Sequence, residues 1–228
     1  MGLKLFLKGN LMNRRFSFCI ILLSVLGLIA ATLVYWGCGD VSPKPNVLSD
    51  KPEKPQQAKL VKLKTNMGDI VIALEEKAAP VTAANFLRYV EEGFYDGIVF
   101  HRVIAGFMIQ TGGFDQDLSA RQPHEPVVNE YKISNTRATV AMAKKGGNPD
   151  SATSQFFINV SDNSKNLDNQ NGGFTVFAKV VKGMDVVDKI AAVKTTIKTA
   201  TNRGRKFSMR DVPADSVVIK SAKVVHDN

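Results

Sequence analysis

An arginine set among apolar residues constrains this chain more than any other feature. In FHRVIAGFMIQTGG, residues 100 to 113, Arg102 interrupts a run that otherwise has the composition of a core strand. A guanidinium stays charged and is almost never fully buried without a partner. Arg102 is therefore expected to line a cleft with an apolar floor, where something accepts its hydrogen bonds. Strand alternation places Phe100, Arg102 and Ile104 on one face, and Met108 and Gln110 together on another after the Ala105-Gly106 turn.

The region around this cleft reads as many short strands with little helix. LVKLKT and DIVIAL flank an Asn66-Met67-Gly68 turn as a hairpin. Pro80 or Thr82 opens a helix that runs to about Glu92 and ends at Gly93, with Phe86, Leu87 and Val90 on one side. Further strands are expected near 97–104, 107–112, 137–142, 156–160, 174–180 and 216–224, with a short helix at 184–190. So many short strands suit a closed antiparallel barrel, which leaves no exposed edge for pairing. A monomer is the corresponding expectation.

The first 58 residues differ in kind. Residues 1–15 form a basic leader, and 16–36 carry no charged side chain over a length that spans a bilayer as a helix, with Tyr35-Trp36 at the interface position. Arg14 and Arg15 stand just before it, so the positive-inside rule keeps the N-terminus cytoplasmic and exports the rest. Gly37-Cys38 also resembles the end of a bacterial lipoprotein signal, which makes Cys38 a lipidation candidate; a cleaved signal is the third alternative. Residues 39–58 contain Pro43, Pro45, Pro52 and Pro55 among charged and polar residues and read as a semi-extended linker. Both cysteines, Cys19 and Cys38, precede the folded region of 59–228, so no disulfide framework is available to it. Of the net charge of +9, four positive charges lie before residue 39 without an acidic residue, and +5 remains for the rest.

Several segments in order resemble the cyclophilins, peptidyl-prolyl cis-trans isomerases: FHRVIAGFMIQTGG itself, TNMGDIVIAL, PVTAANFLRYVEEGFYDGIVFHR, TVAMAK at 139–144, SQFFINV at 154–160, FTVFAKVVKGMDVVDKI at 174–190 and the terminal SVVIKSAKVV. The resemblance implies a mainly β fold, an eight-stranded antiparallel cyclophilin barrel capped by two helices. It also implies a catalytic role for Arg102. Phe107, Met108, Phe157 and Leu167 then hold the proline ring, Phe174 forms an apolar wall at the pocket edge, Gln110 and Gln155 address the flanking peptide, the backbone at Lys144 accepts the preceding residue, and Ala143 stays small so that the peptide can approach. Gln155 and Phe157, two apart, can both face the cleft while Phe156 and Ile158 face the core.

The implied chemistry needs no nucleophile, metal or cofactor. An X-Pro amide is held planar by a barrier of about 18 to 20 kcal/mol, while its isomers differ by only about 0.5 to 1 kcal/mol. The catalyst must bind the twisted bond better than either planar form, and twisting makes the nitrogen lone pair an acceptor for a guanidinium. A 10^5-fold gain requires roughly 7 kcal/mol, whereas one charge-assisted hydrogen bond yields about 1.5 to 3 kcal/mol, so the pocket must contribute too. His101 reads as strand support, and with His124 and His226 remote there is no metal-ligand spacing.

Two departures from the family pattern stand out. Asn166 aligns where many cyclophilins carry a tryptophan, which predicts weak cyclosporin binding, and Phe174 replaces a histidine at the pocket edge. The segment Lys194 to Arg210 holds Lys194, Lys198, Arg203, Arg205, Lys206 and Arg210 with no acidic residue. It reads as a lengthened loop or solvated hairpin, or as a dock for anionic lipid or an acidic partner. Nucleic acid is not expected, because no aromatic platform interleaves the charges. Three functions remain: an isomerase for exported or envelope proteins with proline-containing polypeptides as substrates, a binding module using the same groove without turnover, and a membrane-anchored adaptor.

Overall fold

Alternation shapes the first hairpin. In β1 (Leu60–Thr65) Val61, Leu63 and Thr65 are buried while Lys64 is exposed, and in β2 (Gly68–Leu74) Ile70, Ile72 and Leu74 are buried. The Thr65 hydroxyl closes the turn, accepting from the Met67 amide at 3.0 Å and donating to the Gly68 carbonyl at 2.6 Å. Glycine is required at position 68: its φ is +132°, and a Cβ there would meet Val186 Cγ2 at 2.7 Å. The computed structural model describes residues 58–226. The expectations for the basic leader, the apolar segment with Cys38 and nearly all of the linker lie outside the described residues.

The remaining principal strands are β3 (Arg102–Ile104), β4 (Met108–Thr111), β5 (Thr139–Met142), β6 (Phe156–Asn159), β7 (Val176–Lys182) and, near the C-terminus, β10 (Ile219–Val225). With β1 and β2 they form one eight-stranded antiparallel sheet in the order β10-β1-β2-β7-β5-β6-β4-β3. The sheet curls until its ends meet. Ahead of β3, the Gly97 and Phe100 amides donate to the Ile219 and Val217 carbonyls, and the Ile219 amide returns a bond to Ile98, each at 2.8 Å. These bonds satisfy backbone groups that an open edge would leave unpaired. The expected strand at 97–104 is thus shorter than its apolar run, because Val99 pairs with Val218 only as an isolated bridge.

Two helices match expectation, α1 (Pro80–Glu91) and α3 (Met184–Ala191). No side chain within α1 caps its start. The Glu130 carboxylate does so from a distant loop, accepting from the Val81 amide at 3.2 Å and the Thr82 amide at 2.8 Å. Phe86 on the buried face then packs against Tyr95, Phe156 and Phe177 with ring centroids 4.9 to 5.4 Å apart. A short α2 (Ser164–Leu167) and a 3-10 turn at 170–172 were not expected. The basic segment also has more structure than a loop. It forms a separate two-stranded sheet of β8 (Thr195–Asn202) and β9 (Arg205–Pro213). Ala200 and Val212 in this hairpin are buried with Val99, Phe114 and Leu118, so the ribbon has a small core of its own.

Candidate active site

Register builds the strand side of the site. Arg102 pairs with Gln110, Gln110 with Phe157, and Phe157 with Ala141, so one lateral row crosses β3, β4, β6 and β5. Residues directly opposite in antiparallel strands project to the same face. The adjacent row, Val103, Ile109, Ile158 and Val140, is at most 2% exposed and lies in the main core. The split within β6 is the one the spacing predicts: Phe156 and Ile158 join the core, while Phe157 joins a second apolar cluster with Met108, Ala141, Leu167 and Val176. The expected faces of β3 and β4 need correction. Phe100 belongs to the main core, and Met108 and Gln110 share the face of Ile104 and Arg102, because the hairpin pairs them directly.

Arg102, Gln110 and Phe157 of the first row line a cavity of about 500 Å³, bounded also by Phe107, Met108, Ala143, Lys144, Leu167, Gln170 and Phe174. Of the catalytic and substrate-binding residues that the resemblance implies, Gln155 alone lies outside this lining. It borders a neighbouring cleft, and its Oε1 accepts from Gln110 Nε2 at 3.0 Å. Gln155 therefore orients Gln110. Gln170 was missed, since it reaches the cavity from the loop after α2 and no periodicity marks it. Asn166 is exposed on α2 and does not line the cavity.

The Arg102 side chain is 43% exposed at the cavity. Its Nε stands 3.8 Å from Asp211 Oδ2, itself 43% exposed, a separation at which solvent-screened pairs contribute at most about 1 kcal/mol. Among the described residues no hydrogen bond engages this guanidinium, so its terminal nitrogens remain available to a ligand. Beside it, His101 is 3% exposed, tilts against Phe114 at 4.8 Å and leaves Nδ1 without a hydrogen-bond partner. Burial holds the imidazole neutral, pulling its pKa from 6.5 down to about 4. A neutral ring behind Arg102 adds no like charge to the site.

The opposite wall is loop. Lys144 Nζ lies 4.9 Å over the Phe174 ring and donates to the carbonyls of Asn171, at 2.7 Å, and Gly173. Burial lowers its pKa. Lys144 thus contributes its side chain as well as its backbone, tying the 168–174 loop to the end of β5. Asp168 secures the other end of that loop, accepting from Ser134 Oγ at 2.5 Å and from the Asn135 amide at 2.9 Å. Burial pushes its carboxyl up, but these bonds outweigh burial and hold it below the usual range.

A family model described as cyclophilin type peptidyl-prolyl cis-trans isomerase/CLD matches residues 60–224. The chain is 47% identical over 171 residues to peptidyl-prolyl cis-trans isomerase B of Escherichia coli, covering 72% of this chain and 99% of that protein. It is 52% identical over 140 residues to a peptidyl-prolyl cis-trans isomerase of Acinetobacter baylyi, covering 60% and 74% respectively. Among solved structures it is similar to a cyclophilin type isomerase of Cryptosporidium parvum, at 24% identity and a TM-score of 0.60, covering 75% of this chain and 99% of that one. A second structure of that protein, in the presence of the dipeptide Ala-Pro, gives a TM-score of 0.59 at 24% identity over 74% of this chain and 99% of that chain.

Proposed function

This chain belongs to the cyclophilin-type peptidyl-prolyl cis-trans isomerases, and on that premise we propose that Arg102 lowers the barrier to X-Pro rotation by hydrogen bonding to the twisted amide. The isomerase activity follows from the family. The role of each residue is a reading of the cavity.

The proline ring enters between Phe107, Met108, Phe157, Leu167 and Phe174, where apolar contact replaces water around it. Gln110, held by Gln155, hydrogen-bonds the flanking backbone and fixes the peptide on one side of the scissor-like twist. As the carbonyl leaves the plane, the amide nitrogen becomes pyramidal and its lone pair accepts from an Arg102 Nη. No covalent bond forms or breaks and no proton needs to move. The interaction is absent from both planar isomers, so it lowers the barrier without trapping either one. The observation that carries this reading is the lateral row Arg102-Gln110-Phe157, which sets beside an apolar hollow a guanidinium that makes no hydrogen bond among the described residues. The Ala-Pro dipeptide used with the Cryptosporidium parvum relative supports proline-containing peptides as the substrate class.

An exchange or protease-coupled assay on a short X-Pro peptide tests the assignment. Arg102→Ala should lose about 10²- to 10³-fold in kcat/KM if the guanidinium supplies preorganised stabilisation. A loss below threefold in a variant of unchanged Tm would demote Arg102 to a structural role and leave the rate gain to the rest of the pocket.

The proposal extends to location: an exported enzyme, tethered to a membrane, that serves exported or envelope proteins. It is supported by the uncharged run at 16–36 behind Arg14 and Arg15 and by the Pro-containing linker. Among the described residues no helix is long and apolar enough to cross a membrane. Mass spectrometry of the membrane-bound form decides the tether: an intact N-terminus means a helix, a diacylated Cys38 means a lipoprotein, and purely soluble mature protein contradicts both.

A further inference from the structure

Next to the proline cavity lies a second cleft of about 540 Å³, bordered on one side by Gln155 and on the other by the tip of the β8–β9 hairpin. The two cavities are neighbours by chain and by hydrogen bond. Lys144 lines the first and Lys145 the second, and the Gln110 to Gln155 bond at 3.0 Å joins a residue of one to a residue of the other.

The second cleft differs in charge. Arg121, Lys145, Arg203 and Arg205 line it, and no Asp or Glu does. Arg121 is already neutralised by Asp115 and donates to the carbonyls of Phe94 and Asp96. The other three cations have no carboxylate partner among the described residues. Arg203 is nonetheless held in place, because its guanidinium donates to Gln122 Oε1 at 3.1 Å and 3.3 Å, and Gln122 lines the same cleft.

The hairpin tip is built to present these arginines. Arg203 and Gly204 have φ of 49° and 77° between the paired residues Asn202 and Arg205, the two positive values that a type I′ turn requires. The ribbon behind the tip is anchored as well: the Ala120 amide donates to Thr201 at 2.7 Å and the Thr201 amide to Leu118 at 2.9 Å. A flexible solvated loop would not place two guanidinium groups at one cleft in this way.

Resting on the isomerase reading, we propose that this cleft selects proline-containing clients with a carboxylate side chain within about three residues of the proline, a reach of roughly 10 Å of extended chain. An anionic group entering it meets three cations and no competing carboxylate, while a lysine there meets only repulsion.

The test uses the full chain and a set of peptides that differ only in Glu, Gln or Lys at each of three positions on either side of a fixed X-Pro bond. Turnover and binding by fluorescence anisotropy are both read. At one or more positions, Glu should exceed Lys by about fivefold in kcat/KM and in affinity at low salt, falling toward parity at 1 M NaCl. The double variant R203Q/R205Q should bring the Glu to Lys ratio near one, and R203K/R205K should keep most of it. Equal binding of the Glu and Lys peptides at every position overturns the inference while leaving the isomerase reading intact. The converse is also readable: binding preference without turnover of any peptide keeps the acidic selectivity and removes the isomerase reading. Displacement of the Glu peptide by phosphatidylglycerol vesicles, but not by phosphatidylcholine vesicles, would reassign the cations to a membrane surface and overturn the proposal.

Discussion

The two walls of the cavity beside Arg102 are made by different means. One is strand: Arg102, Met108, Gln110 and Phe157 take their places from the register of the paired strands β3, β4 and β6, whose other face is the core. The other is loop: Leu167, Gln170 and Phe174 stand where they do because Lys144 and Asp168 tie the intervening chain to β5 and to Ser134 and Asn135. Moving a residue of the strand wall means breaking ladder hydrogen bonds and opening the core. Moving the loop wall means releasing a few polar contacts. The guanidinium that we propose as catalytic accordingly sits on the wall that costs more to deform, and the loop wall is the one that can yield.

That contrast predicts a global effect on the strand side. Neutral His101 is favoured by the fold, since its pKa is about 4 there and 6.5 when exposed. Above pH 6.5 the group adds no pH dependence. As pH falls from 6.5 toward 4 the unfolded chain takes up a proton that the folded one refuses, so stability should decline by up to about 3 kcal/mol. Denaturant melts across this range should show the slope in the native chain and lose most of it in His101→Phe. An unchanged slope in that variant would place the titration elsewhere. Asp168 acts in a lower window, because its pKa is depressed below 3.8.

On the loop side the expected effect is smaller and local. Lys144→Met keeps much of the packing over Phe174 but removes the bonds to Asn171 and Gly173, so KM should rise about three- to tenfold while the melting temperature moves by only a few degrees. Amide exchange should quicken at 168–174 and stay slow in β3, β4 and β6. Equal quickening in both walls would erase the distinction.

The same contrast explains what could be read beforehand. The alternation of Phe156, Phe157 and Ile158 carries its own assignment, since a strand with one face in the core allows a single register. The β1–β2 hairpin was legible from its two apolar runs and the Asn66-Met67-Gly68 turn between them. The face shared by Arg102 and Gln110 was harder, because it depends on how the Gly106 turn pairs the strands, and that register is not contained in either strand alone. Gln170 gave no signal, as its position depends on the Lys144 bonds to a loop 27 and 29 residues away in sequence. The hairpin at 195–213 looked like solvated charge. Its apolar residues are sparse, and Ala200 and Val212 find their partners in Phe114 and Leu118, far earlier in the chain.

The central claim is that the guanidinium of Arg102 favours the twisted amide over both planar forms. NMR exchange on a saturating X-Pro peptide separates binding from rotation on the enzyme and tests it most directly. For Arg102→Ala the account predicts a dissociation constant within about fivefold of the native chain and an on-enzyme isomerisation rate at least about 10² lower. Weakened binding with an undiminished rotation rate would contradict it, and would leave Arg102 a substrate anchor.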